Sequence, residues 1–287
     1  MDIIKQKVSV GSYKAMTYRY GDGDNVIILL SGGPGLSCEY LLESHKPLAE
    51  KGFTLISWDQ FGSGESEAVP SDGFYTIEHA LDEMKHVVEH FHLKKFYVLG
   101  HSWGGMLGLD YCLRYPKHVE GFIAANTSFS ASCLQRSCDR IRGTLDIDTQ
   151  FMLMRHEAEG TLKDEEYVAV MGELKSKYVC RLPKTPDAFV RSAEGWNFDA
   201  CVALGARSFA TYTGSLRNYE RIDQLSGMRV PTLLIQGEYD FIMPDNVALA
   251  HAHLPNSTVR IVLDCSHLPF FEDPEQYMEA IEEFLDV

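Results

Sequence analysis

Short, largely apolar runs recur along the chain, separated by segments whose apolar residues return every three to four positions. Val26–Ser31 (VIILLS), Phe53–Asp59 (FTLISWD), Phe96–Ser102 (FYVLGHS), Gly121–Thr127 (GFIAANT), Thr232–Gly237 (TLLIQG) and Thr258–Leu263 (TVRIVL) each predict a strand. The segments between them read as helices. Glu39–Lys51 offers Tyr40, Leu41, Leu42, Pro47 and Leu48 to one helical face. Thr76–Leu93 spaces Ile77, Leu81, Met84, Val87, Val88 and Phe91 as an amphipathic helix does, with Thr76 and His79 as half of a capping signal. Trp103–Tyr115 continues the Phe96–Ser102 run as a helix that stops at Pro116, and Asn246–Leu254 and Glu275–Leu285 complete the alternation. Strands alternating with helices predict an α/β fold: a mostly parallel sheet with helices on both faces. The rhythm breaks from about Ser130 to Gly227, where helical patterns such as Glu165–Val179 appear without a strand. The expected organisation is a core of residues 1–129 and 228–287 with a helical lid inserted at 130–227.

Composition narrows the function classes. A chain of 287 residues suffices for one large α/β domain with an insertion, or for two small domains. The formal charge of −15 repels nucleic acid and anionic membrane. The seven cysteines are odd in number, irregularly spaced and contain no CxxC pair, which predicts reduced thiols rather than a disulfide framework or a cysteine-built zinc site. Met1–Val10 carries Asp2, Lys5 and Lys7 and does not read as a signal peptide. No segment approaches the roughly 18 apolar residues of a membrane span. A cytoplasmic location is expected.

Chemistry concentrates after the apolar runs. Gly100-His101-Ser102-Trp103-Gly104-Gly105 fits G-x-S-x-G between a strand and a helix, the setting that lifts a serine above a sheet edge as nucleophile. The Trp103 amide begins a helix and can donate to a developing oxyanion. Ser31-Gly32-Gly33-Pro34-Gly35 follows another run, and Gly33 is the expected second oxyanion donor, with Gly32 beside it in the pocket. Asp240 follows Thr232–Gly237 and His267 follows Thr258–Leu263, so the chain order is Ser, Asp, His. Glu238 and Asp264 are competing acids; the first stays in line with its strand, the second is too near His267 in sequence. Among eleven histidines, His86 and His90 have the spacing of a metal pair but fit a solvated helix face better, and His101 in the nucleophile turn is expected to pack behind it. The set describes acyl transfer through Ser102, with His267 as base, Asp240 orienting it, and no metal or cofactor.

The motifs GGPG (Gly32–Gly35), WDQFGSGES (Trp58–Ser66), GHSWGG (Gly100–Gly105), GEYD (Gly237–Asp240) and DCSHL (Asp264–Leu268) together resemble the proline iminopeptidases and the tricorn-interacting aminopeptidase, which are α/β-hydrolases. Similarity spans nearly the whole chain, including the lid position and Tyr212–Leu225. The resemblance implies metal-free release of an N-terminal residue, often proline, from a peptide, amide or arylamide. Three positions depart from it. Ser31 stands where the family usually has histidine. The family's amine-binding lid glutamate falls on Ser208 or Phe209, and a second glutamate found after the catalytic aspartate in some relatives is Phe241 here. Phe209 and Phe241 would make the pocket more apolar; Glu194 or Asp199 could replace the lost carboxylates, and Trp196 is a candidate pocket aromatic. Two substrate classes therefore stand: an amino-terminal residue or amino-acid amide, and a neutral N-acyl amide, ester or lactone. Both are small molecules or short peptides. A silent binding scaffold is a third reading, opposed by the intact Ser–Asp–His set.

Overall fold

The structure is a computed structural model that describes residues 1–69, 73–208, 211–212 and 214–287. The chain runs β1 (Ile4–Val10), β2 (Tyr13–Tyr20), β3 (Asn25–Leu30), α1 (Glu39–His45), α2 (Pro47–Glu50), β4 (Phe53–Trp58), α3 (Ile77–His90), β5 (Phe96–His101), α4 (Trp103–Arg114) and β6 (Val119–Ala125). An insertion follows: α5 (Ala131–Arg142), α6 (Ile147–Glu159), α7 (Glu165–Tyr178), α8 (Asp187–Glu194), α9 (Phe198–Leu204), a hairpin of β7 (Ala206–Ser208) and β8 (Thr211–Tyr212), and α10 (Ile222–Leu225). The chain ends with β9 (Thr232–Gly237), α11 (Pro244–His253), β10 (Ser257–Val262), α12 (Pro269–Glu272) and α13 (Pro274–Leu285).

The main sheet has the order β1-β2-β4-β3-β5-β6-β9-β10, parallel from β4 to β10, with the antiparallel hairpin β1–β2 on one edge. Period-two alternation explains why the central strands are apolar throughout. In β3, Ile28 and Leu30 enter the core under α3 and α4, while Ile27 and Leu29 enter the core under α1 and α13. Each strand is thus buried on both faces. α3 starts where the Thr76 hydroxyl accepts the His79 amide at 3.2 Å, and it buries Ala80, Leu81, Met84, Val87 and Val88.

The observed elements depart from the sequence reading at three places. Glu39–Lys51 is two helices, because Pro47 has no N–H to continue the first one. β1 and β2 were not expected: β1 exposes four of its first residues, so its apolar alternation is faint. A short hairpin interrupts the otherwise helical insertion.

The insertion is bound to the core by main-chain hydrogen bonds. At its base Arg221 N donates to Phe129 O (2.9 Å), and Ala131 N to Tyr219 O (2.7 Å) ties the two ends of the insertion together. Higher up, Gly64 N donates to Gly195 O (2.8 Å) and Asn197 N to Gly35 O (2.9 Å). Among the described residues no helix is long and apolar enough to cross a membrane.

Candidate active site

Five parallel strands, β3, β5, β6, β9 and β10, deliver the candidate residues at their carboxyl ends, the edge where open α/β sheets bind ligands. Ser102 follows β5 with φ 56° and ψ −119°, a conformation that costs a non-glycine residue about 1–3 kcal/mol. The neighbours enforce it. Ser102 N donates to Ala125 O (2.9 Å), Gly105 N to Ser102 O (2.9 Å) and the Thr127 hydroxyl to the same oxygen (2.7 Å). The flanking glycines are required by contact: a Cβ on Gly100 would lie 2.2 Å from Gly104 O, and one on Gly104 would lie 2.0 Å from Leu30 O.

The acid and base meet as the strand order requires. His267 Nδ1 lies 2.9 and 3.0 Å from the two Asp240 oxygens. A carboxylate only accepts, so Nδ1 carries the proton and Nε2 is left with its lone pair. Asp240, 2% exposed, also receives Asn126 Nδ2 (2.7 Å), Gln236 Nε2 (2.6 Å) and the Ile242 amide (2.9 Å). Four donor groups thus fix this carboxylate where water cannot solvate it. Glu238 instead takes the Asp264 amide, and Asp264 is exposed, so neither competitor reaches the histidine.

The Gly32–Gly35 loop lies directly against Ser102: a Cβ on Gly32 would be 3.1 Å from Ser102 Cβ. The Gly32 amide is already engaged, donating to the Tyr40 hydroxyl at 2.8 Å. Gly33 and Trp103 amides have no acceptor among the described residues. Gly33 has φ +119°, and a Cβ there would approach Leu36 N to 2.7 Å. Ser31, in the family's histidine position, is buried and its hydroxyl donates to Leu36 O (3.1 Å).

Of the groups behind these residues, sequence reasoning anticipated His101 but not the bonds it makes. Tyr40 and His101 form a directed chain. His101 Nε2 is 2.9 Å from His267 O, a pure acceptor, so Nε2 carries the proton and Nδ1 must accept. The Tyr40 hydroxyl therefore donates to His101 Nδ1 (2.7 Å) while accepting from Gly32 N. Burial holds His101 neutral, pushing its pKa well below the usual imidazole value. The chain joins the glycine loop to the base through the residue preceding Ser102. Gln60 Oε1 accepts the Trp103 indole N–H at 2.9 Å. Asn126 had a legible signal, since it closes the apolar run of β6, and Gln60 lay in the WDQFGSGES motif; Tyr40 and Gln236 had none.

Comparison with known proteins fits this geometry. The profile of the α/β hydrolase fold matches residues 25–274. Over the full chain, identity to the proline iminopeptidase of Lactobacillus helveticus is 32%, covering 99% of that protein. The chain belongs to the α/β-hydrolase family, in its proline iminopeptidase branch. It is similar in structure to VinJ (TM-score 0.93, 29% identity, 99% of this chain and 98% of that one). The proline iminopeptidase of Mycobacterium smegmatis superposes with a TM-score of 0.89 at 27% identity, with the same coverage.

The outer parts of this hydrolase's site are more varied. Phe241, nearly buried, packs at a tilt of 49° against the His267 ring, with centroids 4.5 Å apart. The Trp196 indole donates to Pro34 O (2.8 Å), which places it on the glycine loop. Glu194 is exposed at the end of α8, and among the described residues it has no ion pair and no hydrogen bond to Ser102, Asp240 or His267; Asp199 is exposed too. Phe209 lies outside the described residues. His86 bonds the Asp82 carbonyl on the α3 surface. One trio among the described residues, His156, Asp164 and Glu166, has metal-ligand reach. His156 Nε2 and the Arg155 guanidinium both contact Glu166 Oε1, so a cation there would face the arginine charge.

Proposed function

We propose that this hydrolase cleaves amide bonds through an acyl-enzyme on Ser102, releasing an N-terminal residue or an amino-acid amide as its proline iminopeptidase relatives' name implies. One observation supports the reading: the hydrogen-bonded Asp240–His267 pair and the strained Ser102 all follow the carboxyl ends of strands in one parallel sheet, and the Trp103 amide next to Ser102 has no acceptor among the described residues. In this reading His267 Nε2 takes the Ser102 proton as the hydroxyl attacks the carbonyl. Gly33 and Trp103 amides stabilise the oxyanion, each by roughly 3 kcal/mol. Asp240 stabilises the imidazolium, which then protonates the leaving amine, and water completes the cycle. The 130–227 insertion acts as a lid over the site.

A second reading has one supporting observation. Phe241 occupies the position beside Asp240 where some relatives carry an amine-binding glutamate, and its ring covers His267. A buried ammonium without a counter-charge is costly, which favours a neutral acyl amide, ester or lactone. The test is a panel of three substrates: a prolyl arylamide, its N-acetyl form and a short acyl ester. Turnover of the free-amine compound alone supports the aminopeptidase; preference for the other two supports the second reading. Ser102→Ala should lower kcat by about 10⁶ in either case while remaining folded. Undiminished turnover in that variant would remove the mechanism.

A further inference from the structure

Glu272, in α12, is five residues past His267 and does not touch its ring. Its two oxygens accept three donors. Oε1 receives the Ser266 hydroxyl (2.6 Å) and the Arg181 amide (2.6 Å), and Oε2 receives the Ser266 amide. On the other side of the same residue, Ser266 O accepts Asn126 Nδ2 at 3.1 Å, and Asn126 also holds Asp240. The residue before the base is therefore gripped from both sides, by Glu272 and by the acid's own partner.

The Arg181 amide gives this grip a second meaning, because Arg181 belongs to the insertion. It follows α7 and reaches both catalytic loops. Its Nε donates to Asp264 O (3.2 Å), and its guanidinium lies 4.2 Å above the Tyr239 ring, next to Asp240. Three residues earlier, Tyr178 O accepts the Phe241 amide at 3.2 Å. The segment Tyr178–Arg181 thus contacts the loop of the acid and, at Asp264 O, the loop of the base, and Glu272 links Arg181 to that second loop again through Ser266.

We propose that Glu272 is a positioning residue for the reaction: it sets the place of His267 and makes that place depend on the insertion through Arg181. The inference rests on the Ser102–His267–Asp240 reading above. Misplacing a catalytic group by about 1 Å costs on the order of 100-fold in rate. Glu272→Gln turns an N–H₂ toward donors that need an acceptor. It is expected to lower kcat by about 10- to 100-fold with KM nearly unchanged, and to shift the acidic limb of the kcat/KM profile. Arg181→Met, which keeps the amide and loses the guanidinium, is expected to lower kcat by a smaller factor and shift the same limb in the same direction.

The decisive readout does not need turnover: the low-field proton NMR signal of His267 Nδ1–H in the intact protein. The proposal expects it to be sharp in the wild type and shifted or broadened in both variants at unchanged far-UV circular dichroism. An unmoved signal with kcat within twofold of wild type overturns it. Should Glu272→Gln not fold, Ser266→Ala removes one of the three donors and must move the signal in its place. A wild type that shows the signal but is not labelled by a fluorophosphonate at Ser102 would refute the hydrolase mechanism, and the NMR comparison would still decide the role of Glu272.

Discussion

Glu83 shows how much one side chain can be asked to do without solvent. It is fully buried in α3 and accepts the Tyr13 hydroxyl, the Phe61 amide (3.0 Å) and the Trp58 indole (3.3 Å). Desolvation raises its pKa from 4.5 to about 7, against the pull of those donors. Between these values the folded protein binds a proton that the unfolded chain has lost. Stability from this group is complete below the unfolded value and declines as pH rises through 7, by roughly 3 kcal/mol in all. Glu83→Gln should flatten that part of the stability profile, read as the wild-type-minus-variant difference in urea unfolding at about pH 5 and about pH 8. An equal pH slope in both proteins would contradict the assignment. At this scale the sequence was legible where chemistry is local. Ser102, Asp240 and His267 each sit in a short motif after an apolar run. Most of their partners did not show, because Tyr40, Gln236 and Glu272 act on residues brought near by the sheet order, and a lone polar residue carries no mark of what it will face.

The strand–turn–helix around Ser102 is the element with least room. Gly104→Ala would push a methyl from the first turn of α4 into the Leu30 carbonyl of β3, and β3 cannot retreat without breaking its pairing with β5. A loss of about 3 kcal/mol or more is expected. Gly172 is the useful contrast: it lies in α7, and a Cβ there would meet nothing within 4 Å. Gly172→Ala should stabilise by about 0.5–1 kcal/mol, since alanine restricts the unfolded chain. Thermal unfolding of the two variants beside wild type checks both signs; a stable Gly104→Ala would mean that the turn is looser than its contacts imply. Elements buried on both faces were plain in the sequence for the same reason that they are tight. The β1–β2 hairpin was not, because an edge strand needs an apolar residue only where it meets the sheet.

Across the whole molecule, the two ends of the insertion are not equivalent. On one side, the segment between α8 and α9 is joined to the core by backbone bonds, Gly64 N to Gly195 O and Asn197 N to Gly35 O in the glycine loop. Away from it, α6 presents Ile147, Phe151 and Met154 to solvent, at 61, 64 and 55% exposure. The net charge of −15 says nothing about which side admits substrate. The backbone bonds do. A peptide N–H bonded across two segments is released only when the segments part, so the α8–α9 side behaves as masonry rather than as a shutter. Its amides keep time for any opening. The amide hydrogens of Gly64 and Asn197 should exchange with deuterium as slowly as those of β5, while those of α6 are replaced early. Reversed rates would put the doorway on the oxyanion side, and substrate would then pass over Trp196 on its way to Ser102.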